Sequence, residues 1–294
     1  MIYIIVGPTG SGKSSMAFKL SEYLCDAPII NADAFQIYKD MDIGTAKVEK
    51  GSKEYNLHHL LDIVTPEENF SVKEYQTIFR EKVKELEKQY KNIIVCGGTG
   101  LYIRASIYDY VFYESEDDDV SDLELLDNDS LYEMLIKLDP KATETIHKNN
   151  RKRVIRAISI ARTSKLNKSD IIDEQKHEII YGKENVKIFM INIDREKLYE
   201  NINKRVDLMI EKGLIEEVKS LLNKYELSQT AYQAIGYKEI ISYLNNEISL
   251  ESAIELIKKR TRNYAKRQLT FFKHQFECIN VSSLSEILKE INNG

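Results

Sequence analysis

Cysteine is scarce in this sequence, long apolar runs are absent, and neither sign of charge dominates. The three cysteines, Cys25, Cys96 and Cys278, lie far apart and are odd in number. That excludes a disulfide framework and a four-ligand zinc site, and it points to free thiols in a reducing compartment. The five histidines lack metal-ligand spacing: His58 and His59 are adjacent, and His147, His177 and His274 are scattered. Structural or hydrogen-bonding roles are expected for them. A net charge of −5 announces no nucleic-acid partner by itself, so any such partner must meet a local patch. No apolar stretch approaches the roughly 20 residues of a membrane span. The first residues open on a strand, without a basic leader or a cleavage site. A cytoplasmic protein without membrane association is expected, most simply a monomer. At 294 residues, with 43% apolar and 30% charged residues, the chain can build one large domain or two modest ones.

What is present begins at the first turn. The run Ile2-Tyr3-Ile4-Ile5-Val6 feeds Gly7-Pro8-Thr9-Gly10-Ser11-Gly12-Lys13-Ser14, and a helix with Met16, Ala17, Leu20 and Leu24 on one face follows. This is G-x-x-x-x-G-K-S in the strand–loop–helix context that the motif needs. Its glycines let backbone N–H groups point inward at an anion, and the helix N-terminus adds partial positive charge. Lys13 is expected to reach the terminal phosphate oxygens, and the Ser14 hydroxyl to ligate Mg²⁺. A di- or triphosphate ligand is therefore expected.

Downstream, apolar runs alternate with helical patterns. Residues 27–31 read as a strand ending at Asp33, 34–38 as a loop or short helix, 41–47 as an irregular turn, and 58–63 as a strand. Ser71 with Glu74 forms a capping box, opening a helix striped by Tyr75, Phe79, Val83, Leu86 and Tyr90. The strand 93–96 runs into Gly97-Gly98-Thr99-Gly100 and another helix. An acidic run over 114–129 reads as a solvated linker. Helices are expected over 130–138 and 150–164, then a polar, irregular 165–183, then a strand over 186–193 that rejoins the sheet. The remainder reads as helix: 196–212, 214–225, and a long helix through Phe272. The fold class is α/β: a P-loop NTPase-like parallel sheet covered by helices. Residues 1–109 and 186–294 form the core domain, and 110–185 an inserted, mostly helical domain. Ligands gather at the carboxyl ends of such strands, which puts the phosphate loop, Asp33 and Thr99 on one rim.

Asp33 admits three readings: a carboxylate holding Mg²⁺ through water, a general base, or a cap for the next segment. A hydrolase or kinase would want a carboxylate ending a later apolar strand. The strand 93–96 ends in glycines instead, which weakens a motor-ATPase reading and leaves a small-molecule kinase open. Arg205, early on the helix after the rejoining strand, reads either as an arginine folding over phosphates or as a surface ion pair. On the long helix Ile254, Ile257, Thr261, Tyr264, Leu269 and Phe272 recur as the buried stripe. Lys258, Arg262 and Lys266 line up at i, i+4 beside Lys259, Arg260, Arg267 and Lys273, with no acidic partners in the same segment. That face is either solvated or nucleic-acid-binding. A second basic cluster, Arg151-Lys152-Arg153 with Arg156, sits on the insertion, and two such clusters suit gripping a folded RNA by its phosphates.

Several stretches together carry a resemblance: Gly7 to Ser14, Asn31-Ala32-Asp33-Ala34-Phe35-Gln36-Ile37-Tyr38, Met41-Asp42-Ile43-Gly44-Thr45-Ala46-Lys47 and His58-His59-Leu60-Leu61-Asp62. Further on come Gly97-Gly98-Thr99-Gly100-Leu101-Tyr102, Arg153-Val154-Ile155-Arg156-Ala157, Gln233-Ala234-Ile235-Gly236-Tyr237-Lys238-Glu239 and Arg260-Thr261-Arg262-Asn263-Tyr264-Ala265-Lys266-Arg267-Gln268. In this order they resemble the bacterial tRNA dimethylallyltransferases, which prenylate adenosine-37, over essentially the whole chain. Apart from the phosphate loop each is weak alone; together they are highly specific.

The resemblance implies that Gly7 to Ser14 holds the diphosphate of dimethylallyl diphosphate, with Mg²⁺, and does not serve ATP hydrolysis. It implies Asp33 as acceptor of the N6 proton, Gln36 as a holder of the base with Ala34 and Phe35 beside it, and Thr99 near the reacting centre. Arg205 would close on the diphosphate together with Lys13. The anticodon stem-loop would be gripped by the insertion, through Arg151, Lys152, Arg153 and Arg156, and by Lys258, Arg262 and Lys266. The chain departs from the family pattern in places. Ala34 replaces the serine of D-S-x-Q, Phe271 stands where tryptophan is common, and Ser14 replaces threonine. The region after residue 113 is short and acidic and lacks the expected RNA-contacting arginine.

Overall fold

Six parallel strands form one sheet in the order β3-β2-β4-β1-β5-β6. The computed structural model describes residues 1–112, 120–163 and 178–293. His177, residues 114–119 of the acidic run and residues 165–177 of the irregular stretch lie outside the described residues. β1 (Ile2–Val6) is flanked by β4 (Ile93–Gly97) and β5 (Val186–Ile191), with Val6 between Gly97 and Met190. Covered on both faces, these strands read as continuous apolar runs without alternation. Tyr3, Ile5, Ile94 and Phe189 pack with Ala17 and Leu20 of the helix Lys13–Tyr23 and with Ile287 of the helix Leu284–Asn292.

β2 (Ile29–Asn31) pairs with β4 and with β3 (His58–His59), and β6 (Ile279–Val281) pairs with β5. β3 is far shorter than the expected 58–63, because Leu60 and Asp62 have φ of 63° and 54°, which breaks strand geometry. The edge strand β6 has only 3 residues and shows no periodicity that a sequence could reveal.

The Ser71–Glu74 capping box is present and opens the helix Val72–Leu86, burying Tyr75, Phe79, Val83 and Leu86. Tyr90 lies beyond that helix and is exposed. The long helix Leu250–Gln275 has 26 residues and buries Ala253, Ile257, Ala265, Gln268 and Phe272. Its buried row therefore runs through a glutamine, while Ile254 and Leu269 are only partly covered. Helices Gln229–Tyr232 and Tyr237–Leu244 also lie in the region before it.

The chain divides into two compact units, Met1–Ile107 with Ile179–Gly294, and Tyr108–Glu178. Residues 179–185, expected in the insertion, cluster with the larger unit. The smaller unit has its own core of Leu123, Leu131, Leu135, Val154, Ala157 and Ile158, under the helices Asn128–Leu138 and Arg151–Thr163. The described part of the acidic run is not a solvated linker. Leu123, on the short helix Ser121–Glu124, is fully buried. Asp127 caps the next helix by accepting from the amides of Asp129 and Ser130, where a carboxylate meets the positive end of the dipole. Among the described residues no helix is long and apolar enough to cross a membrane.

Candidate active site

At the carboxyl end of β1 the chain turns through the phosphate loop, with Gly12 at φ 86° as the cap of the following helix. A side chain there would strain that left-handed backbone. Two helices hold the loop in place. Gln268 Oε1 accepts from the Thr9 amide at 2.9 Å, and Asn201 Nδ2 donates to the Gly10 carbonyl at 3.0 Å. Lys13 folds back, its Nζ donating to the Pro8 carbonyl at 3.3 Å. Burial pushes the Lys13 ammonium below its usual value, with the Asp33 carboxylate pulling the other way. The Ser11 hydroxyl is buried with no partner among the described residues. A cation without a carboxylate bonded to it there and an unmatched donor make this loop a receptacle for an oxyanion.

Asp33 is positioned where β2 and β4 end. A Cβ on Gly97 would collide with the Ala32 backbone, so only glycine allows the two chains to come this close. The Thr99 amide then donates to the Ala32 carbonyl at 3.1 Å, and Thr99 Oγ1 accepts from the Ala34 amide at 2.9 Å. Asn31 fixes the turn through the Asp33 amide at 3.1 Å, and Tyr75 donates to the Asn31 carbonyl at 2.8 Å. Asp33 Oδ1 accepts from the Phe35 amide at 3.0 Å, an Asx turn. Oδ2 has no hydrogen-bond partner among the described residues. The capping reading of Asp33 thus occupies one oxygen and leaves the other for chemistry.

Asp33 opens on a cavity of about 90 Å³. Thr9, Arg205, Thr261 and Tyr264 supply its polar wall, and Val206, Met209, Ile235 and Ile257 much of its apolar wall. Burial, reinforced by Asp33, pushes the Tyr264 phenol up to about 12, so it stays a neutral hydroxyl near pH 7. Arg205 lines this cavity and also a cleft of about 370 Å³ bounded by Gly10, Gly12, Lys13, Ser14 and Lys204. The guanidinium therefore stands between the phosphate loop and the apolar space. Its Nη2 donates to the Thr45 carbonyl at 3.1 Å. It has no salt-bridge partner among the described residues, which removes the surface ion-pair reading; burial lowers its pKa and Asp33 opposes that.

The loop carrying Thr45 is framed from below. The Glu217 carboxylate accepts from the amides of Asp42, Ile43 and Gly44 at 3.0, 2.6 and 3.1 Å, and from the Tyr237 hydroxyl at 2.7 Å. Lys47, whose side chain is fully buried, donates to the Tyr38 carbonyl, Asp42 and Asp62 at 2.7, 2.7 and 2.6 Å. The Gln36 amide lies on this loop, donating to the Thr45 and Ala46 carbonyls at 3.2 and 3.4 Å, and does not line the cavity.

The basic clusters are less uniform than their spacing suggests. The absence of acidic partners does not hold for Lys258, only 16% exposed, which pairs with Asp207 at 2.8 Å and with Glu255 of its own helix at 3.4 Å. Arg262 donates to Asn203 Oδ1 at 2.6 Å, and Lys266 is exposed. In the smaller unit Arg151 donates to the Leu123 and Glu124 carbonyls at 3.2 and 2.8 Å and to Asn128 Oδ1 at 3.1 Å. That arginine closes a helix end, whereas Lys152, Arg153 and Arg156 are exposed. His58 Nδ1 contacts the Glu54 carbonyl at 2.7 Å, and burial lowers its pKa. No group of three or more His, Cys, Asp or Glu able to hold a metal occurs among the described residues. Cys96, at the end of β4, is a buried neutral thiol pushed up to about 11.

Gln268, Asn201, Tyr264 and Glu217 escaped sequence reasoning as site-forming residues. Gln268 left a signal: a polar side chain one helical turn after Tyr264, on a row that packs inward.

Residues 36–275 match the family model described as IPP transferase. A curated relative, the tRNA dimethylallyltransferase of Anoxybacillus flavithermus, is 45% identical over 276 residues, covering 93% of this chain and 88% of its own. A crystal structure of a tRNA delta(2)-isopentenylpyrophosphate transferase from Staphylococcus epidermidis aligns with a TM-score of 0.70 at 38% identity, over 99% of this chain and 97% of that one. A eukaryotic dimethylallyltransferase acting on tRNA aligns with a TM-score of 0.80 at 28% identity, over 97% of this chain and 74% of its own.

Proposed function

The chain belongs to the IPP transferase family, and we propose that it transfers the dimethylallyl group of dimethylallyl diphosphate to N6 of adenosine-37 in the tRNA anticodon loop, releasing diphosphate. The observation that carries this reading is Arg205, shared by the phosphate-loop cleft and by the cavity that Asp33 opens on. One end suits a diphosphate, the other a hydrocarbon and a base.

The target adenine leaves the anticodon stack to reach the cavity. Its N6 attacks C1 of the dimethylallyl group as the C1–O bond breaks, and the electron pair of that bond leaves on the diphosphate. Lys13, Arg205 and the loop amides meet the charge that develops there. Asp33 Oδ2 takes the proton from N6, while Oδ1 stays tied to the Phe35 amide and keeps the carboxylate aimed. Thr99 orients this segment by accepting from the Ala34 amide.

The residues fit a magnesium ion that arrives with the diphosphate better than an all-protein cage. Ser14 offers one hydroxyl, and the nearby Cys96 thiol is neutral. Bound there, the ion would offset negative charge on the leaving group. The partners are tRNA, gripped at its anticodon stem-loop by exposed basic residues including Lys152, Arg153 and Lys266, and dimethylallyl diphosphate. The enzyme acts as a cytoplasmic monomer.

The test incubates purified protein with dimethylallyl diphosphate, Mg²⁺ and an anticodon stem-loop RNA. The expected product is an RNA heavier by one prenyl group, and Asp33→Ala should lose turnover while retaining RNA binding. An unmodified RNA, together with ATP-dependent phosphorylation, would favour a kinase.

A further inference from the structure

We propose that Met209 closes the hydrocarbon end of the active-site cavity and limits the transferred group to five carbons. The inference rests on the prenyl-transfer reading above and adds which residue sets the length of the donor. Met209 follows Arg205 by one helical turn on the helix Arg195–Glu211. Side chains at i and i+4 lie on one face about 6 Å apart. A donor with its diphosphate at Arg205 therefore runs its hydrocarbon along the next turn, over Met209.

Volume decides the rest. The cavity is small, about 90 Å³, so a hydrocarbon longer than the dimethylallyl group needs further room beside the base. Behind Met209 lies a second, larger space of about 450 Å³, bounded by Ile43, Ala46, Leu208 and Lys212. Met209 and Arg205 line both spaces, so the Met209 side chain is the apolar part of the partition between them. Val206, Ile257 and Tyr237 share the packed core cluster with Met209 and also line the cavity, but they line no part of the larger space. Shortening them would open no path into it, whereas shortening Met209 joins the two. A thioether side chain is flexible, yet Met209 is only 7% exposed and Tyr237 beside it is pinned by Glu217 at 2.7 Å.

The bond changes are those of the parent reaction: N6–C1 forms, C1–O breaks, diphosphate leaves with the electron pair, and Asp33 takes the proton. Only the length of the chain on C1 changes. The experiment compares dimethylallyl and geranyl diphosphate as donors to the anticodon stem-loop RNA, scoring products by mass. Wild type should transfer five carbons only. Met209→Ala should transfer both groups, with the geranyl-to-dimethylallyl ratio of kcat/KM raised about tenfold or more. Met209→Val, a smaller truncation, reads the same ratio should the alanine chain fail to fold. Met209→Phe should lose dimethylallyl transfer while still binding inorganic pyrophosphate. A truncated enzyme that keeps dimethylallyl transfer without gaining geranyl transfer overturns this inference alone, as does a phenylalanine variant with wild-type kcat/KM. Absence of prenyl transfer by the wild type overturns the function and this inference with it.

Discussion

Lys13 is held in a state that only an anion relieves. Burial depresses its pKa from the ordinary 10.5, and its one hydrogen bond among the described residues runs to the Pro8 carbonyl. The proposed diphosphate would stabilise the charged form and raise that pKa again. The sign follows: below the depressed value Lys13 is already charged and binding takes up no proton; above it, binding must recruit one. Pyrophosphate affinity, measured by calorimetry, should therefore decline with rising pH earlier than a solvent-exposed lysine would dictate. In Lys13→Arg, whose guanidinium stays charged throughout, the alkaline decline should vanish even if affinity is lower overall. A wild-type affinity unchanged up to the ordinary lysine range would contradict this picture. At this scale much was legible in the sequence. Lys13 sits at a fixed motif position, and Asp33 and Thr99 follow strands whose ends must share a rim. Tyr264, Gln268 and Glu217 were not, because apolar periodicity counts a buried phenol as core and passes over a buried amide. Nothing local marks Glu217 as the carboxylate for a loop far upstream, given its separation of 173–175 positions from the amides it holds.

Among the elements, the loop over residues 42–47 matters most to the proposed chemistry, since Arg205 rests on its Thr45 carbonyl. Three amides converging on one carboxylate make Glu217 the keystone of that loop. In Glu217→Gln the incoming NH₂ group cannot accept from those amides. Leaving buried donors unmatched costs about 1–3 kcal/mol, readable as a lower thermal midpoint. If Arg205 shifts with the loop, kcat should fall on the order of 100-fold for a displacement near 1 Å, with RNA affinity little changed. A lower midpoint with unaltered kcat would confine Glu217 to stability. Helices with a cap and a stripe could be read in advance, as Ser71 to Leu86 illustrates. The 41–47 stretch read as irregular because its order comes from Lys47 and Glu217, whose partners are assembled only by the fold. The edge strands were too short to carry a pattern. The long helix turned its inward row to Gln268 because that side chain has two backbone partners to satisfy, the Thr9 amide and the Gly98 carbonyl, at 2.9 Å each.

Over the whole molecule, a net charge of −5 means that RNA must be met by placement and not by bulk field. Lys258 and Arg151 are engaged inside the protein, so the exposed Lys152 and Arg153 are the better probes of phosphate binding. Replacing both with alanine should weaken stem-loop binding and reduce the slope of log K against log salt by about one for each phosphate no longer neutralised. An identical slope would remove them from the interface. The parallel sheet and the presence of an inserted unit followed from strands alternating with helices and from the composition shift near residue 113. The strand order β3-β2-β4-β1-β5-β6 did not. That order also dictates a hazard during synthesis. β1 is made first and lies in the interior of the sheet, yet its neighbour β5 leaves the ribosome only after the whole smaller unit. At roughly 5–20 residues per second, the strand that feeds the phosphate loop waits on the order of ten seconds beside β4 with its other edge bare. Such an edge recruits other strands, so the stage of synthesis between Gly97 and Val186 is where this chain is most open to wrong strand addition.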